Sequence, residues 1–146
     1  KNALPLYLNA YRELKYDGFF LSCYGEDLMI ANPIKANKIL NEAKRFNIHN
    51  NSFIRLGDSY ILLNQFDKAE EAYILSSLMV PSRFIPKYKL FILYCETKQY
   101  FEAKKVANII LQMKVKVPST KVDLIKSDVK NWLVNQNKII SNKQKI

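Results

Sequence analysis

Apolar residues in this chain recur at intervals of three and four over long stretches, the spacing of one face of an α-helix. In NSFIRLGDSYILLNQFDKAEEAYILSSLMVP, the residues Phe53, Leu56, Gly57 and Tyr60 mark one helical stripe. Phe66, Ala69, Tyr73 and Ser76 mark a second, Asn64-Gln65 stands between them as a turn, and Pro81 closes the unit. Continued along the chain, this periodicity predicts helices over 2–15, 18–30, 33–46, 51–63, 66–79, 84–97, 100–113 and 119–135. The run KVKV at 114–117 alternates as an edge strand would, but it lies between a helical stripe and Pro118. It is read as a helix exit, with Pro118 as the stop and Ser119 or Thr120 capping the next helix ahead of Asp123.

The stripes repeat. Thirty-four residues on, Leu90, Tyr94, Tyr100 and Ala103 stand for Leu56, Tyr60, Phe66 and Ala69, and Phe91 falls where Gly57 stood. That third pair is therefore expected to pack less closely there. Upstream, Leu21, Tyr24, Gly25 and Leu28 form a first-type stripe, with Ala36, Leu40 and Ala43 on its partner and Pro33 in the partner's first turn. Ala3, Tyr7 and Ala10 repeat the second-type stripe once more, so the alanines at 3, 36, 69 and 103 are spaced 33, 33 and 34 apart. Small residues belong where two helices cross closely, and one pair cannot cover its own apolar face without a neighbour. Beyond 119, Val122, Ile125, Val129, Trp132 and Leu133 form the apolar side of an amphipathic capping helix, with Lys121, Lys126 and Lys130 mostly elsewhere.

The order large apolar residue, Leu-Gly, aromatic, then Ala-x3-aromatic-x2-small resembles the tetratricopeptide repeat in nearly every signature position. The fold class expected is all-α: an α-solenoid of about three and a half helix pairs and a capping helix. Residues 1–135 form the solenoid: a second-type helix without its partner at 1–15, repeats at 18–46, 51–79 and 84–113, and the cap at 119–135. Residues 136–146 are expected to be a basic, flexible tail. Because a solenoid seldom starts on a second-type helix, the sequence is expected to be part of a longer protein.

Composition changes this picture little. The chain has 146 residues, 49% hydrophobic, with three glycines and five prolines, too few turn formers for an all-β protein. The net charge is +10. From Met113 to Ile146 eight lysines face two aspartates, which places +6 of that charge in the last quarter. Lysines without stacking aromatics or clustered arginines do not indicate nucleic acid, so none is expected as a partner. No apolar run approaches the ~20 residues that span a bilayer. Cys23 and Cys95 lack metal spacing, and His49 is the lone histidine, in a turn. Glu70 and Glu71 are neighbours that face different directions on a helix, and no HExxH, Gly-rich phosphate loop, GxSxG or CxxC occurs. The expectation is a non-enzymatic chain without metal or cofactor.

In the tetratricopeptide class the first helices line a concave groove. By register that face carries Phe19, Ser22, Glu26 and Met29, then Asn51, Ile54, Asp58 and Ile61, then Ile85, Tyr88, Ile92, Cys95 and Glu96. The candidate peptide groove is Glu26, Met29, Ile54, Asp58, Ile61, Ile85, Tyr88, Ile92 and Glu96. Some members of the class clamp a C-terminal carboxylate with Lys and Asn on this face. That Lys and Asn combination is absent here, and Glu26 and Asp58 repel a carboxylate, so the expected ligand is an apolar or basic protein segment.

A narrower resemblance covers most of the chain. The pieces P-x-RF-x-P-x-Y-x-LF-x-LY (Pro81 to Tyr94), KVKVPS (Lys114 to Ser119), the IK-x-x-V helix that follows and the earlier FFLSCYGEDL are similar to the C-terminal region of O-antigen ligase and polymerase family membrane proteins of Bacteroides-type bacteria. That resemblance implies a soluble interaction or assembly domain of a membrane protein in surface polysaccharide synthesis, on the periplasmic side of the cell envelope. Its catalytic residues belong to the membrane part and none transfers to this chain. The alternative is a stand-alone peptide-binding adaptor.

Overall fold

The computed structural model describes residues 3–46 and 49–143. They form eight helices: α1 (Leu4–Leu14), α2 (Gly18–Leu28), α3 (Pro33–Phe46), α4 (Asn50–Leu62), α5 (Phe66–Met79), α6 (Phe84–Glu96), α7 (Tyr100–Gln112) and α8 (Thr120–Lys143). No strand occurs among the described residues, and KVKV is an irregular exit from α7. The fold class is all-α, as the periodicity indicates. Two compact units divide the chain, Lys1–Val80 with α1 to α5 and Pro81–Ile146 with α6 to α8.

In the first unit α2 packs on α3, α4 on α5, α3 on α4 and α1 on α2. Local chemistry sets the helix starts. Asp17 accepts the Phe20 N–H at 2.8 Å at the head of α2, and Asn32 accepts the Lys35 N–H at 3.0 Å ahead of Pro33. Two turns share one geometry: Asn64 and Lys98, 34 residues apart, both adopt left-handed backbone with φ of 55° and 60°. The next N–H in each turn closes back on the helix, Gln65 to Tyr60 O at 2.9 Å and Gln99 to Tyr94 O at 2.8 Å. Asparagine tolerates this backbone, whereas lysine is strained in it.

The crossing inside each helix pair has one small and one large partner. A Cβ placed on Gly25 would lie 2.6 Å from Leu40 Cγ, and one on Gly57 would fall into the Tyr73 ring, 2.7 Å from Cδ1. In the third pair the sizes are exchanged. Phe91 takes the glycine register, and Ala107 takes that of Tyr73; both are buried. The third pair is packed less extensively than the other two, as the sequence suggested, and Phe91 is covered from elsewhere. Its ring is 3% exposed, stacks on Tyr88 at 6.1 Å between centroids and meets the Trp132 ring edge-on at 5.3 Å.

Trp132 belongs to α8, which lays Ile125 and Val129 against α6 and α7 as fully covered residues. Lys126 of this helix donates to Leu111 O at 3.3 Å and Met113 O at 2.9 Å, closing the last carbonyls of α7. The flexible tail expected from 136 is corrected as far as Lys143, because α8 continues that far. Lys and Gln are good helix formers, Ile and Asn weaker ones, and neither Gly nor Pro interrupts the stretch. Residues 144–146 of that tail, and residues 1–2 at the start of the first expected helix, lie outside the described residues.

Replacing Gly57 with Val should lower stability by about 2–3 kcal/mol in chemical denaturation. The double variant Gly57→Val/Tyr73→Ala, which copies the large–small exchange of the third pair, should be less destabilised than the sum of its singles; strict additivity would refute the shared crossing. Lys98→Gly should raise stability by about 0.5–1 kcal/mol by removing left-handed strain.

Candidate functional site

The predicted groove residues fall on the first helix of each pair, and each unit presents its own set. In the first unit Met29, Ile54, Asp58 and Ile61 are half-buried and Glu26 is exposed. Ile54, Asp58 and Ile61 stand four and three residues apart on α4 and share one face. Met29 packs against the core built from Leu21, Tyr24, Leu28, Ala36, Ile39 and Ala43. The acidic character expected of this face is largely answered from within. Arg55 on α4 pairs through Nε with the Glu26 carboxylate and donates from Nη1 to Ser22 Oγ at 3.0 Å, fastening α4 to α2. The Tyr73 hydroxyl donates to Asp58 Oδ1 at 2.6 Å. What remains for a ligand is chiefly apolar: Met29, Ile54, Ile61 and the Phe19 ring, 68% exposed.

In the second unit Ile85, Tyr88 and Ile92 are half-buried and Glu96 is exposed. Tyr88 belongs to the lid contact: its hydroxyl donates to Asp128 Oδ2 of α8 at 2.8 Å, beside its stack on Phe91. Burial and the Asp128 carboxylate push the Tyr88 phenol up to about 12. Burial, with Asp128 and Glu96 behind it, pushes the Cys95 thiol up to about 11. A thiol so protonated is a poor nucleophile. Cys23 and Cys95 are both free and half-buried.

Several features carry little signal in the sequence. His49 is a cap: its Nδ1 accepts the Asn51 N–H at 3.4 Å at the head of α4. Two hollows of the first unit run along α3. One of about 750 Å³ is lined by Ile34, Asn37, Asn41, Arg45 and Leu63 among others, and one of about 410 Å³ by Leu8, Tyr11, Tyr24, Ile39 and Glu42 among others. None of the nine groove candidates lines them. Asn37 and Asn41 beside the larger hollow also tie α3 to α4, through Ser59 at 2.8 Å and the Tyr60 hydroxyl at 3.2 Å. Among the described residues no group of three or more His, Cys, Asp or Glu side chains is placed to hold a metal ion, and no helix is long and apolar enough to cross a membrane.

No protein-family model matches the chain, and no curated protein matches it. Solved structures do. A crystal structure of MamA superposes with a TM-score of 0.71 at 13% identity, covering 99% of this chain and 90% of the other. A second MamA structure gives 0.70 at 13% identity, over 98% and 84%. A chain of the CopN-Scc3 complex gives 0.70 at 18% identity, over 86% and 74%. These neighbours are tetratricopeptide-like helical-repeat proteins, and the likeness establishes that fold for this chain.

Tyr88 holds its proton more tightly folded than unfolded, so its contribution to stability is complete below the ordinary phenol value of 10 and is lost as pH rises toward about 12. Denaturant titrations between those pH values should show Tyr88→Phe losing less stability per pH unit than the wild type. An identical slope would detach Tyr88 from Asp128.

Proposed function

We propose that this chain is a non-catalytic protein-interaction module, which holds an apolar or basic segment of a partner protein against the first-helix faces. The observation that carries this reading is the apolar strip of α4, Ile54 and Ile61 beside Met29, left half-covered on a tetratricopeptide-type fold. With Glu26 and Asp58 already engaged by Arg55 and Tyr73, apolar side chains supply most of the recognition and basic ones add orientation. Ile85, Tyr88, Ile92 and Glu96 form the corresponding strip of the second unit, narrowed by the bond from Tyr88 to Asp128. The occurrence of one fold neighbour in a two-protein complex supports a protein partner.

The narrower resemblance supplies the setting we propose: a soluble domain of an O-antigen ligase or polymerase-like membrane protein, on the periplasmic side of a bacterial envelope, serving assembly of the glycan machinery. A stand-alone adaptor uses the same strip and is equally consistent with the fold. The gene decides between them, since apolar stretches of ~20 residues upstream support the first and a wholly polar upstream region removes it.

Peptide display on the purified chain should select segments rich in apolar residues, with Lys or Arg among them. Ile54→Ser/Ile61→Ser should weaken the selected peptides by tenfold or more, about 1.4 kcal/mol, while retaining helical circular dichroism. Selected peptides that bind the double variant unchanged would remove the first-helix face from the function.

A further inference from the structure

The net charge of the chain belongs to one unit. Lys1–Val80 contains nine Lys and Arg and nine Asp and Glu, whereas Pro81–Ile146 contains fourteen and four. The repeat supplies an internal control for what this does to one surface. At positions 34 residues apart, Asp67, Glu70 and Glu71 of α5 correspond to Phe101, Lys104 and Lys105 of α7. The carboxylates of the second pair are thus replaced by an aromatic ring and two ammonium groups on the same helical face. Core packing does not demand the exchange, since Phe101, Lys104 and Lys105 are all exposed.

This face of α7 continues through Asn108 and Ile109, both exposed, into the 113–119 connection. Phe101 is 71% exposed and Ile109 47%, and in the connection Val117 is 74% exposed between Lys116 and Pro118. Lys114, Lys116 and Lys121 are exposed beside them. Lys105 is shared between the Glu102 carboxylate at 3.0 Å and the Phe101 ring at 4.3 Å. Of the unit's other carboxylates, Asp128 holds Tyr88, Glu96 lies at the end of α6, and Asp123 lies in the first turn of α8. Lys126 is committed to the α7 carbonyls and belongs to the fold.

Exposed apolar side chains interleaved with lysines suit a bilayer boundary. There apolar groups enter the edge of the acyl region while ammonium groups stay with anionic headgroups. Nucleic acid fits less well, because this unit has a single arginine, Arg83, and lysine is the poorer partner for planar, bidentate phosphate recognition. We propose that the outer face of α7, with the 113–119 connection, docks this protein on an anionic lipid bilayer. Phe101, Ile109 and Val117 insert shallowly, and Lys104, Lys105, Lys114 and Lys116 hold the headgroups. This surface is separate from the first-helix strips.

Flotation of the full chain with phosphatidylcholine vesicles, with and without phosphatidylglycerol, tests this. Binding is expected only with phosphatidylglycerol and should fall as salt is raised. At about fivefold per lysine, Lys104→Gln/Lys105→Gln should weaken partitioning roughly twentyfold or more. Phe101→Ser/Ile109→Ser should also weaken it, whereas Ile54→Ser/Ile61→Ser should leave it intact. Because these α7 positions are exposed, the melting temperature should stay unchanged. Absence of binding to phosphatidylglycerol vesicles overturns the proposal. So does binding that survives Phe101→Ser/Ile109→Ser while duplex DNA competes it away, which would mark a general polyanion surface.

Discussion

Two helices of a pair can approach closely only where one of them gives up its side chain, and the rest of this molecule follows from that constraint. Gly25 yields to Leu40 and Gly57 to Tyr73, and in the third pair the small residue at that register is Ala107 and the large one is Phe91. Interiors are packed near crystal density, so the summed volume at a crossing is held more firmly than the identity of either residue. The exchange also serves a second contact: Phe91 turns toward Tyr88 and Trp132 and so gives α8 an aromatic seat.

Polar ties then fix what the apolar stripes leave free. Arg55 spans from α4 to Glu26 and Ser22 on α2, and Asn37 and Asn41 reach from α3 to Ser59 and Tyr60 on α4. Apolar contact is tolerant of small rotations of a helix about its axis. Directional hydrogen bonds are less so, and they set which strip of α4 faces outward. The same ties temper the charge of the candidate groove, which is why an apolar ligand fits it better than its acidic residue count implies.

Helices, pairs and the capping helix were legible in the sequence, because Ala at 3, 36, 69 and 103 and the stripes beside them have a fixed period. The candidate strip was legible only as positions. Its electrostatics depend on Arg55 meeting Glu26 across 29 residues and Tyr88 meeting Asp128 across 40, and periodicity on one helix says nothing of its rotation against another. The end of α8 escapes a reading from composition for a simpler reason: a polar stretch resembles disorder, although no residue there breaks a helix. The role of Lys126 was hidden because a lysine that closes carbonyls and one that meets solvent look alike in a sequence.

The first helix carries a further consequence. At the register where Ala36, Leu40 and Ala43 are almost wholly enclosed, Ala3, Tyr7 and Ala10 are only half-covered, and α1 has no buried residue. Its hold on the rest is largely a sheaf of aromatic rings, Tyr7 and Tyr11 against Phe20 and Tyr24. Amide protons of α1 should therefore exchange with solvent well before those of α4 and α5, giving the first unit a graded opening in place of a single cooperative step.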